Sequence, residues 1–190
     1  VMAVPHGGAV EFLLNANLEI TAAEPPVEPR PLGDVTPFSG INASPAGLAT
    51  NGGLKRWRAT LPEGGGTLRL AYAGPFDFGL GTEKEQYQRG FRETAGIVSP
   101  EGVYLAGASF WVPQVDRGLV EFTLTARVPE GWHLISQGNG VSRDDDGVAR
   151  WDSGGAMDEV YLVGGPLVRY RQAAGAVEAA IRAAAGDLLA

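Results

Sequence analysis

Few residues in this chain are of types that do chemistry, and their spacing limits what each could do. The two histidines stand at positions 6 and 133, so the paired histidines of a helical HExxH zinc motif cannot form within it. His133, beside Trp132, reads as a rim or partly buried residue. The run Asp144-Asp145-Asp146-Gly147 invites a calcium reading. An EF-hand loop, however, needs acidic ligands at alternating positions and a closing glutamate, and a tight turn explains the run better. Ser109 lies in "GASFW" (107–111), which lacks the final glycine of a G-x-S-x-G nucleophile elbow. "GLGTEKE" (79–85) has one G-x-G and no Lys-Ser pair to cradle phosphate. Glu83 and Glu85 fall in the most polar part of the chain and read as solvated. There is no cysteine, which removes disulfides, iron–sulfur clusters and thiol chemistry. The chain carries no self-sufficient catalytic, metal or cofactor site that its sequence can reveal.

Aromatic side chains are the remaining candidates. "SFWVPQVDRGLVEFTLTARVPEGW" (109–132) contains Trp111, Gln114 and Trp132, which could face a ligand or a docked domain. Packing is the plainer role for Trp111, Trp132 and Trp151, since large rings fill the gap between two sheets. Lys55, Arg56 and Arg58 surround Trp57, the densest basic group present. On a strand, Arg56 and Arg58 share an exposed face while Trp57 points inward. With a net charge of −7 and no basic stripe, nucleic acid is not an expected partner.

The elements that must position these residues are mostly strands. Gly at 28 and Pro at 13 of 190 residues favour frequent turns and short strands over long helices. "AVEFLLN" (9–15) and "NLEITA" (17–22) alternate apolar and polar positions. Residues 22–53, dense in Pro, Gly, Ser and Asn, read as a long surface connection, because Pro25, Pro26, Pro29 and Pro31 oppose both helix and central strand. "KRWRATL" (55–61) and "TLRLAYAG" (67–74), joined by "PEGGG", read as a hairpin. Residues 80–93 read as loop or one helical turn, with Thr82 and Glu85 as a possible capping box. From Val103 short strands follow at intervals of about 8–12 residues. In "LVEFTLTARV", Val120, Phe122, Leu124 and Ala126 face one way and Glu121, Thr123, Thr125 and Arg127 the other. The expected fold is mainly β, an antiparallel β-sandwich or saddle-like sheet domain spanning 1–190. Residues 175–190 suit a helix by the stripe Val177, Ile181, Ala184 and Leu188 and by alanine content, and a strand by the alternation of Val177, Ala179, Ile181 and Ala183.

No apolar run approaches the ~20 residues that cross a bilayer as a helix, and no signal peptide is visible. Cytoplasm and periplasm are both compatible with the composition. The chain opens at Val1 rather than a start methionine, as a processed or excised piece would.

The order of elements over 100–170 resembles the N-terminal domain of the aminopeptidase N family of zinc metallopeptidases. In that family a "GLY" or "GVY" strand leads to an aromatic-Pro segment. An F-x-L-x-V-x-x-P-x-G strand, an S-x-G element, a Trp-containing strand and Y-L-V-x-G follow. The matching residues are Gly102-Val103-Tyr104, Trp111-Val112-Pro113, Phe122 to Gly131, Ser136 to Gly138, Trp151, and Tyr161 to Gly164. "VEFLLNANLEI" (10–20) and "TLRLAYAG" (67–74) look like earlier strands of the same domain.

The resemblance implies a non-catalytic domain that shapes or caps an active site. Zinc, its ligands and the general-base glutamate would belong to a following catalytic domain, the expected intramolecular partner, and 175–190 would approach the junction with it. A peptide substrate would be the parent protein's. The chain departs from the family where a Gln or Glu precedes the aromatic-Pro segment: Leu105 to Phe110 contain neither. Gln114 does not match that position, and the usual P-x-x-D-E-P element is reduced to Pro113-Gln114-Val115-Asp116. Anchoring of a substrate amine by this domain is therefore not implied. The alternative reading is a free-standing β-sandwich module that binds peptide or carbohydrate through Trp111, Trp132 or Trp151.

Overall fold

The computed structural model describes residues 1–5, 7–33, 35, 53–77, 81–82, 92–93, 96–115 and 118–167. Its strands are β1 (Met2–Val4), β2 (Gly8–Asn15), β3 (Glu19–Glu24), β4 (Val27–Arg30), β5 (Leu54–Leu61), β6 (Gly66–Ala73), β7 (Gly81–Thr82), β8 (Arg92–Glu93), β9 (Gly96–Ser99), β10 (Gly102–Leu105), β11 (Thr123–Arg127), β12 (His133–Ile135), β13 (Asn139–Val141), β14 (Val148–Asp152) and β15 (Leu162–Gly165). The fold is mainly β, and every strand pairing among these elements is antiparallel. The N-terminal half builds the sheets β2-β5-β4 and β1-β6-β3, and the C-terminal half builds β12-β15-β10-β9 and β11-β14-β13. A two-stranded ribbon, β7-β8, completes the set. No helix among the described residues is long and apolar enough to cross a membrane.

The expected hairpin of residues 55–61 and 67–74 is corrected. Both strands form, but β5 pairs with β2 and β4, whereas β6 pairs with β1 and β3. The cause is a shared corner. β1 and β2 run antiparallel to β6 and β5, with Val4 opposite Gly66 and Gly8 opposite Leu61. Both stretches therefore leave one sheet and enter the other at the same place. A side chain at Gly7 would come within 1.9 Å of the Pro62 carbonyl oxygen, and one at Gly65 within 2.4 Å of the Val4 carbonyl oxygen. Glycine lets the two backbones touch there, as a sandwich corner needs.

The connection expected over 22–53 is also shorter than read. β3 continues to Glu24, and Val27–Arg30 forms β4 at the edge of its sheet, with Pro29 opposite Trp57. Proline is tolerated there because one side of an edge strand has no ladder to complete. Within 80–93, Gly81–Thr82 pairs with Arg92–Glu93, so Thr82 belongs to a ribbon rather than to a helix cap. Residues 83–91 and the segment 175–190 lie outside the described residues.

Trp57 packs against the core, as its strand parity predicts. Arg56 and Arg58 are less exposed than expected, because register sets Glu11 of β2 opposite Arg58. The Glu11 carboxylate accepts from Arg58 Nη2 at 2.7 Å and Nε at 3.1 Å, and from Arg56 Nη1 at 3.4 Å. In β11 the expected alternation holds, with Leu124 and Ala126 half-buried and Thr123, Thr125 and Arg127 exposed. One contiguous core joins all four larger sheets. Phe12, Leu14, Ala59 and Leu68 supply it from the first half, and Leu105, Leu134, Ala149 and Leu162 from the second.

Two expectations follow from this geometry. Gly64 and Gly65 share a positive φ, but only Gly65 faces backbone. Gly64→Ala is expected to cost about 1 kcal/mol, and Gly65→Ala about 3 kcal/mol or more, in urea unfolding. The hydrogen bond from Arg58, reinforced by the charges of Arg58, Arg56 and Arg30, holds the Glu11 carboxyl below its ordinary range. That stabilisation is complete above the unfolded carboxyl's pKa of about 4.3 and is lost as pH falls through the lower folded value. Glu11→Gln is expected to cost about 1 kcal/mol at neutral pH. The gap in melting temperature between wild type and variant should close on acidification.

Candidate functional site

Trp111 and Gln114 sit on a segment, 106–115, that lies along the open edge of β2. A single 3-10 turn, Gly107–Ser109, starts it. Phe110 follows in the left-handed conformation, φ 53° and ψ 38°, which costs a bulky residue roughly 1–2 kcal/mol. Burial of its ring against Leu13 offsets that cost. The lock is Asn15, fully buried at the end of β2. Its Nδ2 donates to the Ser109 carbonyl at 2.8 Å, its Oδ1 accepts from the Asn17 amide at 2.9 Å, and its own amide donates to the Phe110 carbonyl at 3.0 Å. Ser109, also fully buried, donates its Oγ to the Ala106 carbonyl at 2.7 Å. Farther along, Gln114 and Leu13 exchange backbone bonds of 3.0 and 2.9 Å. Ser109 is thus a folding hydroxyl: it is buried and committed to its own turn.

The tryptophans are anchored. Trp111 Nε1 donates to the Val160 carbonyl at 2.9 Å, tying the segment to the approach to β15. Trp151 Nε1 donates to the Leu134 carbonyl at 2.9 Å, joining β14 to β12. Trp132 follows the turn closed by its amide on the Pro129 carbonyl at 3.1 Å. All three rings are half-buried against the same core. His133 is half-buried too, its Nδ1 3.1 Å from Ser142 Oγ. Asp144 serves its own turn: Oδ1 accepts from the amides of Val148 at 2.8 Å and Asp146 at 3.0 Å, and Oδ2 pairs with Arg150. These bonds, led by the one from Val148, hold its carboxyl below the usual range. Among the described residues no three His, Asp or Glu side chains gather as metal ligands would.

A polar cluster that sequence reasoning missed lies between β12 and β15. Gln137 donates Nε2 to the Glu159 carbonyl and accepts the Tyr161 amide on Oε1, both at 2.9 Å. Ser136 Oγ donates to the Tyr161 carbonyl at 2.6 Å. The nearby Glu159 carboxylate, together with burial, raises the Tyr161 phenol pKa well above its ordinary range. Glu159 Oε2 is buried without a hydrogen-bond partner and presses on Gly107, where a Cβ would lie 2.6 Å from that of Glu159. The S-x-G element carried the only sequence signal. The amide clamp itself joins residues more than 20 positions apart, and no local pattern encodes such a contact. This network pins the loop before β15 and so fixes the carbonyl that holds Trp111.

Asn15→Ala would leave the buried Ser109 carbonyl without its donor, a loss of about 2–3 kcal/mol, read by denaturant unfolding. Limited proteolysis within 106–115 should rise in parallel. Because the Tyr161 pKa is raised on folding, its contribution is present below an unfolded phenol pKa of about 10 and is lost above it. Tyr161→Phe should remove from the phenolate absorbance titration a step that lies above the ordinary phenol range.

No protein-family model matches the chain, and neither a curated protein nor a solved structure matches it.

Proposed function

We propose that this chain is the non-catalytic N-terminal β domain of an aminopeptidase N-like zinc metallopeptidase, shaping or capping the active site of a catalytic domain that this sequence does not include. The observation that carries the reading is the order of the motif residues along one antiparallel fold. Gly102-Val103-Tyr104 lies on β10, and Trp111-Val112-Pro113 on the segment beside β2. Phe122 to Gly131 spans β11 and its turn, Ser136 to Gly138 holds the amide clamp, Trp151 is on β14 and Tyr161 to Gly164 enters β15. Each motif thus has a packing or hydrogen-bonding task, as parts of a scaffold domain should.

A docking face favours the same reading. Register aligns Ile135, Val163, Tyr104 and Ile97 across the four strands of β12-β15-β10-β9. They lie on the face opposite the buried Leu134, Leu162 and Leu105, with Ile135 44% and Val163 39% exposed. Such an apolar row suits a neighbouring domain of the same polypeptide. Zinc on this reading is bound by that domain, and the present residues supply the wall.

The test has two parts. The reading frame beyond Ala190 should encode HExxH within about 150 residues and a glutamate about one helix later. The isolated chain should hydrolyse no aminoacyl or peptide substrate, with or without added zinc. Metal-dependent peptidase activity in the purified chain, or a frame with no zinc motif, would overturn the proposal. In the second case tryptophan fluorescence titration with peptides and oligosaccharides becomes the deciding measurement for a binding module.

A further inference from the structure

β11 lies at the edge of β11-β14-β13, and its hydrogen bonds reveal what that edge offers. The Val128 amide donates to the Gly147 carbonyl and the Phe122 carbonyl accepts from the Ser153 amide. Even-numbered residues of this stretch therefore bond towards β14. Glu121, Thr123, Thr125 and Arg127 must direct their amides and carbonyls the other way. Among the described residues nothing pairs with them, and their side chains are exposed. Just before them stands Leu119, 67% exposed. An edge of this kind is a template for another strand.

We infer that this edge pairs with the same edge of a second copy of the chain, antiparallel and two-fold symmetric, with Thr123 opposite the second copy's Thr125. The sequence is complementary to itself in that register. Glu121 falls opposite the second copy's Arg127, and the symmetry repeats the ion pair at the other end. Between them stand two Thr–Thr pairs, which favour neighbouring strands. Leu124 meets its own symmetry mate on the core-facing side, where Phe122 meets Ala126. Leu119 falls opposite Pro129, and the missing amide of Pro129 ends the ladder. Outward-facing residues meet only outward-facing residues, so each pair can exchange both backbone bonds. A slip of two residues in either direction would break the charge match. The pairing needs no other element of the fold and does not depend on the metallopeptidase reading.

A single strand edge is a small interface beside the roughly 1,600 Å² of a standard one, so the dimer is expected to be weak, with a Kd on the order of 100 μM. Sedimentation velocity of the 190-residue chain, from about 10 μM to 1 mM, should show mass rising from that of the monomer towards twice that value. Glu121→Lys sets like charges opposite one another twice and should raise the Kd about tenfold or more. Arg127→Glu should do the same, and the double exchange E121K/R127E should restore the wild-type Kd to within about threefold. Thr125→Pro removes an outward amide without touching the β14 ladder and should abolish association. The surface charge variants should melt as wild type does, which separates loss of pairing from loss of folding. A chain that stays monomeric at 1 mM would overturn the proposal. So would a dimer indifferent to Glu121→Lys, or a double exchange that fails to restore it.

Discussion

Gly7 and Gly65 face the backbone of the opposite strand so closely that no side chain fits at either place, and the arrangement of the sheets depends on this contact. β1 and β2 run antiparallel to β6 and β5, and the strands of each pair change sheets together at this corner. Had they crossed at different points, register would be lost on one side of the corner. Because they cross together, Phe12 and Leu14 of β2 and Leu68 of β6 all reach the same core.

The corner leaves one edge of β2 open, and the rest of the molecule is organised around how that edge is used. Segment 106–115 fills it, held by the buried amide of Asn15 and by the bonds between Leu13 and Gln114. The left-handed backbone at Phe110 is the strain that goes with reversing the chain there, and apolar burial on Leu13 sustains it. Trp111 then carries the connection into the second half through the Val160 carbonyl. The Gln137 clamp and Glu159 over Gly107 keep that carbonyl in place. Scaffold and decoration are therefore the same residues: the rings supply apolar area, and the indole N–H groups of Trp111 and Trp151 tie separate strands and segments together.

Charge follows the same economy. Glu11 sits between two guanidiniums, and Asp144 accepts hydrogen bonds from its own turn. Each carboxylate stabilises a local geometry, and in each the ionised form is favoured by donors that folding brings close. Ser109, His133 and Asp144, of residue types that do chemistry, each hold a hydrogen bond within the fold.

Much of the strand content was legible because side-chain parity is local. The alternation in "AVEFLLN", "KRWRATL", "TLRLAYAG" and "LVEFTLTARV" places each strand within a residue or two, although the last begins only at Thr123. The same parity turns Trp57 inward and gives β11 its polar face. Partner choice was not legible. Proximity in sequence favours pairing β5 with β6, yet a contact between Gly65 and Val4, some 60 positions away, assigns them to different sheets. Proline density hid β4, since an edge strand tolerates what a central strand does not. Gln137, Glu159 and Asn15 carried no local signal, because a side-chain amide acquires its role only when folding delivers the backbone groups that match it. By itself the sequence determined the strands and their inward faces, through steric and hydrophobic periodicity. Which edges meet, and which polar atoms are locked between them, only the tertiary structure decided, because those contacts arise from close approach of backbone far apart in the chain.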